Sequence, residues 1–599
     1  MAENQRNQRN SLCYNIRVKE RQKRFSFVRL TLVFVIMMIV GRLFQIQILD
    51  HEKYKKMAEE QQTLQNTIVA KRGEIYMMDG EQPVPVAMNR KVWTVIVDPM
   101  IADRKKTEQT IDKILGNNKT ADWNEIFKDK KRRYFVVARN VARKEATAIK
   151  GAKLNGVWLQ QNSKRVYPEN ELGARLLGFV NANGDGQYGV EGSLNKDLKG
   201  ENGILKTVKD VNNIPLTIGD DNVRVPAKNG KNLVLSVDRN IQYAAEKALV
   251  NGVRRSRVGH ASAVVMDPRT GQIWAMANYP SYNPAEYSKV KDAALFQNDI
   301  VSSPYEPASV CKTFTFAAAI DKGVLSPDTT YTNTGETVVD GWPIRNASQV
   351  HFGKINMQTA FSWSFNTGST QALRLMGGNS DDINRQGKKI LYDYYHDHFG
   401  LGEYTGIELV ESKGIIIPPD NVDATNARYA NMTFGQGLDL TMLQVLAAFT
   451  SVVNGGEYFT PTVIAGEMKD GKFQKKELEK PVRQTIDSKT SETMREMLAK
   501  ARTIYGGTVD FDKGYYVGGK TGTAQVIKNG KYVMSDTIGS YVGFGSSSKN
   551  ELPEYVIMVK IWEDGRAMDA GDDAKPIFDE LSRYMNNYLK LRGDYEQSK

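Results

Sequence analysis

Three short polar motifs, widely separated along the chain, constrain the fold more than any other feature: Ser309-Val-Cys-Lys312, Ser364-Phe-Asn366 and Lys520-Thr521-Gly522-Thr523. Each is common by chance when met alone. In this order they supply a hydroxyl beside an amine, a second hydroxyl beside an amide, and a cation among further hydroxyls. They can act together only if distant segments converge on one place. That requirement points to an α+β domain whose sheet draws strands from both ends of the chain, with helices between them.

Local patterning supports a structural role for each motif. Pro304 and Pro307 punctuate a loop, and Thr313 to Ile320 reads as a buried helix of small and apolar residues. Ser309 then sits at or just inside the helix N-terminus, where free N–H groups favour developing negative charge. Lys312 follows at i+3 and raises its amine on the same face. A serine hydroxyl is a weak nucleophile until a base takes its proton, and a partly desolvated lysine can be that base. Lys520 follows Val517-Gly-Gly and reads as part of a strand that carries its cation past small residues. Decoys exist: Ser281-Tyr-Asn283 precedes the nucleophile in a Pro-rich turn, and Lys228-Asn-Gly230 and Lys528-Asn-Gly530 read as turns. Cys311 lies between nucleophile and base, but no His or Asn is arranged to activate it, so it reads as a small apolar helix residue.

The chain of 599 residues carries 81 Lys and Arg against 69 Asp and Glu, with 41% hydrophobic residues, so it is mostly globular. Much of the excess charge is local, because residues 1–24 hold seven basic residues and only Glu3 and Glu20 as acids. The apolar run from Phe25 to Phe44 follows directly. It is long enough to cross a bilayer if Arg29 and Arg42 snorkel. Arg42, Phe44 and Gln45 stand where a signal peptide would need small residues, which favours an uncleaved anchor over a cleaved signal. The basic side stays in the cytoplasm and everything past residue 50 lies outside. Cys13 and Cys311 then fall on opposite sides and cannot form a bridge within one chain.

Residues 45–70 read as a polar helical stalk, and Arg72 to Asp79 as a strand ended by an Asp-Gly turn. Lys91 to Asp98 is a further strand. Residues 101–150 read as helical, with Lys130-Lys-Arg-Arg133 a solvated basic run. Gly184-Asp-Gly-Gln-Tyr-Gly189 matches a dinucleotide fingerprint in spacing only, and reads instead as a turn that positions Glu191. A second domain begins near Lys231: Asn232 to Asp238 is a strand, and Asp238 caps a helix over 239–250. Hairpins follow over 260–278 and 541–561, with a helix over 441–453 and a closing helix over 574–591. His396-Asp-His398 lacks a third metal ligand and reads as a surface pair.

With these residues in view, the sequence resembles the class B penicillin-binding proteins, monofunctional peptidoglycan transpeptidases. The three motifs carry the likeness, together with Arg72-Gly73, Arg165-x-Tyr167-Pro168, Gly189-x-Glu191 and the hairpin from Ala263 to Ala277. The resemblance implies a cytoplasmic tail (1–24), a transmembrane anchor (25–49), an elongated α+β pedestal (50–230) and a transpeptidase domain (231–599). The last combines an antiparallel sheet flanked by helices with an all-helical subdomain.

The resemblance also implies the roles. Ser309 attacks the penultimate D-alanine carbonyl of a stem peptide, Lys312 takes its proton, and Ser364 relays a proton to the leaving amine. The backbone N–H groups of Ser309 and Thr523 form the oxyanion hole. Lys520, Thr521 and Thr523 hold the substrate carboxylate on the strand that includes Gly522, and Asn366 orients the amide and Lys312. Arg72, Gly73, Arg165 and Glu191 are structural pedestal residues. Neither a cofactor nor a metal is implied, and no nucleic acid. The partners are peptidoglycan stem peptides, β-lactams as inhibitors, division proteins and a separate membrane glycan polymerase. Lys520-Thr-Gly-Thr-Ala-Gln525 and Ser364-Phe-Asn-Thr-Gly368 look most like the septal branch. Three alternatives stand beside it: an elongation-branch transpeptidase, a β-lactamase or carboxypeptidase, and an idle scaffold of the division complex. The sequence departs from the family at Ala308, usually Gly, and at Cys311, usually a bulkier residue.

Overall fold

The computed structural model describes residues 25–116, 118–119, 122–128, 132–208, 223–504, 514–528 and 531–593. The basic tail 1–24 with Cys13, Lys130 and Lys131 of the basic run, and Asn529-Gly530 of one decoy turn lie outside these residues. The chain forms two compact units: Met1–Ala70 with Glu201–Lys228, and Lys71–Gly200 with Asn229–Lys599.

In the first unit, Phe25–Leu49 is a 25-residue helix with its apolar side chains exposed, long and apolar enough to cross a membrane. A helix from His51 to Gln62 follows. The stalk is not helical to residue 70. Thr63–Ile68 is a strand, antiparallel to Gly203–Val208, which in turn pairs with Val223–Val225. The sequence Thr-Leu-Gln-Asn-Thr-Ile is weak in either propensity, and a partner far along the chain decides its state.

The second unit holds two large sheets and several two-stranded ones. The strands of the first are β1 (Ile75–Asp79), β2 (Gln82–Val97), β3 (Phe135–Val141), β4 (Val157–Val166) and β5 (Asn232–Asp238), completed by two later strands. The strand β3 corrects the all-helical reading of residues 101–150: its Phe-Val-Val start pairs with β2, and helices occupy Arg104–Leu115, Trp123–Lys128 and Arg143–Gly151 around it. Asp238 ends β5 and caps α1 (Arg239–Ser256), accepting from the N–H groups of Asn240 and Ile241. The hairpin β6 (His260–Met266) and β7 (Ile273–Tyr279) follows, then α2 (Lys312–Asp321), α3 (Asn366–Met376) and α4 (Met442–Val453). The strands β8 (Ile464–Lys469) and β9 (Lys472–Lys475) complete the first sheet, in the order β9-β8-β5-β1-β2-β3, with β4 also on β2. The strand β5 runs parallel to β1 and antiparallel to β8, so one sheet joins the earlier and later parts of this unit.

After α5 (Ser488–Ile504) come β10 (Tyr516–Lys528), β11 (Lys531–Ser546), β12 (Tyr555–Trp562) and α6 (Lys575–Tyr588). The second sheet runs β7-β6-β12-β11-β10 and is antiparallel throughout. Its central strand β12, Tyr-Val-Ile-Met-Val-Lys-Ile-Trp, is the apolar run expected of a strand covered on both faces. Ile557, Val559 and Ile561 pack with α1 and α6, while Val556 and Met558 face the larger core. The helix α4 is buried along its whole length in that core and begins with a Thr441–Gln444 capping box.

Candidate active site

The nucleophile candidate Ser309 lies in a 3-10 turn, Ala308–Cys311, that runs straight into α2. Lys312 is buried, and its Nζ stands 3.0 Å from Ser309 Oγ. The same nitrogen meets Ser364 O at 2.6 Å, Ser364 Oγ at 3.1 Å and Asn366 Oδ1 at 2.8 Å. The carbonyl and the amide oxygen can only accept, so they take the N–H bonds of a neutral amine and leave its lone pair for a hydroxyl. Ser364 has φ +57°, a left-handed conformation that turns both its oxygens towards Lys312. Lys520 approaches from β10, with Nζ 3.0 Å from Ser364 Oγ. The Ser364 hydroxyl therefore stands between two lysines. Thr521 offers its oxygens to Lys520 at 3.3 and 3.5 Å.

The glycine of the third motif is a close-approach position. A Cβ on Gly522 would lie 2.5 Å from Pro307 O and 2.9 Å from Val310 Cγ2, so only glycine lets β10 cross the serine turn this tightly. Thr523 lies further out; it is exposed, and its hydroxyl accepts from Ala570 N–H at 3.4 Å. Burial and the charge of Lys520 hold the Lys312 ammonium well below the usual lysine range, which favours the free base. Burial brings Lys520 down to about 7. Cys311 is buried with its thiol pushed well up, so it is a poor nucleophile despite its position.

The four pedestal residues also meet. Glu191, wholly buried, receives Arg72 at 2.5 Å on one oxygen and Arg165 at 2.6 Å on the other. Arg165 also donates to Gly73 O at 2.7 Å. A Cβ on Gly73 would lie 1.7 Å from Lys231 O, so the chain can pass there only as glycine.

This chain matches the family model of the penicillin-binding protein transpeptidase domain over residues 261–583, and that of the penicillin-binding protein dimerisation domain over 67–235. The chain is a class B penicillin-binding protein. It is 32% identical to the Stage V sporulation protein D of Bacillus subtilis, over 94% of this chain and 85% of that one. It is 26% identical to the peptidoglycan D,D-transpeptidase FtsI of Buchnera aphidicola, over 96% and 97% respectively. The fold of this class B penicillin-binding protein resembles that of penicillin-binding protein 2X from Streptococcus thermophilus, with a TM-score of 0.69 at 22% identity over 89% of this chain and 82% of that one. The class assigns the enzyme as a serine-type D-Ala-D-Ala transpeptidase.

Sequence reasoning missed several residues that build the walls of this penicillin-binding protein's cleft. Glu306 accepts from Gly437 N–H at 2.7 Å and from the Tyr532 hydroxyl at 3.0 Å. Asn366 donates its Nδ2 to Arg345 O at 2.8 Å, and the neighbouring Asn346 accepts from Thr367 N–H at 3.0 Å, which together fix the start of α3. Gln436 reaches Gln525 across the cleft at 3.2 Å. The only sequence signal for these was Gly435-Gln-Gly437, which reads as loop punctuation. The two imidazoles of the His396–His398 pair face different partners: His396 lies beside Asp397 and Glu403, and His398 bonds Thr485 O.

Proposed function

We propose that this protein cross-links peptidoglycan stem peptides through an acyl-enzyme on Ser309, in septal wall synthesis. The observation that carries the reading is Lys312 Nζ at 3.0 Å from Ser309 Oγ, with its two fixed donors already spent on Ser364 O and Asn366 Oδ1. The neutral amine takes the serine proton as Oγ attacks the penultimate D-alanine carbonyl. The oxyanion is met by the backbone N–H groups of Ser309 and Thr523, a contribution of typically a few kcal/mol per donor. Collapse of the intermediate breaks the amide bond. The leaving D-alanine nitrogen takes its proton from Ser364, which is recharged from the lysines on either side. Lys520, Thr521 and Thr523 hold the terminal carboxylate. An amine from a neighbouring stem then attacks the ester, gives up its proton by the reverse route and frees Ser309.

A septal role is supported by the relative named FtsI and by the Lys-Thr-Gly-Thr-Ala-Gln pattern. The Stage V sporulation protein D relative favours a second reading, wall synthesis during sporulation. Depletion separates these: filaments indicate septal work, round cells indicate elongation, and normal growth with failed sporulation indicates the second reading. In this proposal the helix Phe25–Leu49 spans the membrane with the basic tail inside, and a separate membrane polymerase with division partners supplies the glycan. Protease added outside the membrane should then digest everything beyond about residue 50.

The decisive experiment is labelling of the purified protein with fluorescent penicillin. Wild type should be labelled at Ser309. Ser309→Ala should take no label, and Lys312→Ala almost none. Cys311→Ala should retain labelling, because that thiol packs in the core. Label mapped to Cys311, or surviving in Ser309→Ala, would overturn the mechanism.

A further inference from the structure

The apolar run of β12 is broken once, by Lys560, on the face that turns towards the larger core. Lys560 is only 3% exposed. Its Nζ lies 4.8 Å from the Tyr305 ring centroid and 4.5 Å from that of Trp562. Among the described residues no oxygen accepts a hydrogen bond from it and no carboxylate pairs with it. Holding an ammonium in so buried a residue is costly, and two ring faces offset only part of that cost.

Lys560 lines a cavity of about 310 Å³ behind the serine turn. The other charged groups of that cavity are already committed. Arg175 donates to Gln297 O at 2.5 Å, to Ala294 O and Pro280 O, and to Asp299 at 2.9 Å. Asp299 also takes the Ser303 hydroxyl at 3.1 Å. Asp292 caps Ala294 N–H at the exposed rim, and His260 stacks on Trp562. The Arg175–Asp299 pair cancels and Asp292 lies at the exposed rim, so Lys560 is the cavity's one cation without a hydrogen-bonded partner among the described residues.

We infer that this cavity binds a small anion, whose carboxylate or phosphate oxygens take the N–H bonds of Lys560. The occupant would rest against Tyr305, four residues ahead of Ser309, whose backbone pairs with Leu440 in both directions at 3.0 and 2.9 Å. Desolvation lowers Lys560 to about 8, so the amine is mostly charged at neutral pH and becomes neutral just above it.

The test is isothermal titration of the full-length protein in detergent at pH 7 with inorganic phosphate and, separately, with acetate, against chloride at matched ionic strength. Saturable binding of at least one is expected, and the stronger binder identifies the source chemistry. Affinity should fall tenfold or more in Lys560→Met, and likewise for wild type between pH 7 and pH 9.5. The comparison with Lys560→Met removes any contribution from Lys520, which both proteins share. Leu295→Trp keeps the amine but narrows the cavity, so it should also lose affinity and serves if Lys560→Met does not fold. Absence of saturable binding by wild type, or unchanged affinity in either folded variant, would overturn the inference.

Discussion

The Tyr532 hydroxyl donates to Glu306 Oε1 at 3.0 Å, which ties the far end of the β10–β11 hairpin to the segment three residues ahead of Ser309. Gly437 N–H shares the same oxygen, so one buried carboxylate joins three walls of the cleft. Glu306→Ala should leave two donors without an acceptor, at about 1–3 kcal/mol, and slow acylation roughly tenfold as the turn loosens. Glu306→Gln keeps an acceptor oxygen and should retain most of both. Thermal unfolding and the second-order rate of penicillin acylation check the pair. Equal loss in Gln and Ala would argue that the charge, not the acceptor, matters.

In the proposed mechanism the two lysines set opposite limbs of the pH profile. Acylation needs Lys312 neutral, and burial with Lys520's charge lowers it well below the usual range, so the acid limb should lie well below that of a free lysine. Holding a substrate carboxylate needs Lys520 charged, and this group titrates near 7, so acylation by carboxylate-bearing β-lactams should decline as pH rises through about 7. Stability moves the other way. Between the lowered folded values and the unfolded lysine value near 10.4 the unfolded chain binds more protons, so unfolding free energy should rise with pH across that window and be lost as pH falls through it. Lys520→Met should remove the alkaline limb while lowering the rate throughout. An alkaline limb that persists in that variant would exclude Lys520 as its source.

Ala308 occupies a left-handed conformation, φ +51°, at a position packed against Gly435. A side chain there is strained by about 1–2 kcal/mol. Ala308→Gly relieves that strain and loses a buried methyl, so it should be neutral to stabilising by about 1 kcal/mol. Ala308→Val should destabilise by at least about 2 kcal/mol, because a β-branched residue fits this region worst. Urea unfolding gives the order, and a glycine variant less stable than the valine one would refute it.

Breaking the Glu191 cluster should act on stability and not on chemistry. Arg72→Ala leaves a buried carboxylate with one cation where it had two, and removal of one partner of a buried pair costs about 3–5 kcal/mol. The variant should melt earlier, yet its folded fraction should acylate at the wild-type rate. A slowed rate per folded molecule would show that the cluster reaches the active site.

What could be read in the sequence was what is local. The α2 helix, the Asp238 cap and the Ser309–Lys312 spacing follow from periodicity and from one residue's relation to its near neighbours. The order of the three motifs placed Ser364, Asn366 and Lys520 beside them, because the chemistry needs all of these. Glu306 and Tyr532 were invisible, since a glutamate in a proline-rich loop and a tyrosine after a turn carry no sign of each other across 226 residues. Lys560 hid for the opposite reason: β12 is so apolar that one charge within it reads as noise. Thr63–Ile68 was misread because its state is set by a partner strand that its own residues do not announce.

The parallel pairing of β1 with β5 has a consequence for when the protein can fold. Synthesis delivers β1 long before β5, and β5 arrives only with the start of the catalytic half. Until then one edge of the early sheet offers unpaired N–H and C=O groups to any passing strand. Parallel pairing across so long a stretch of chain is also slow to form. Newly made chains therefore pass through a period in which a neighbour's strand competes with their own, and shielding that open edge is a task for whatever receives them.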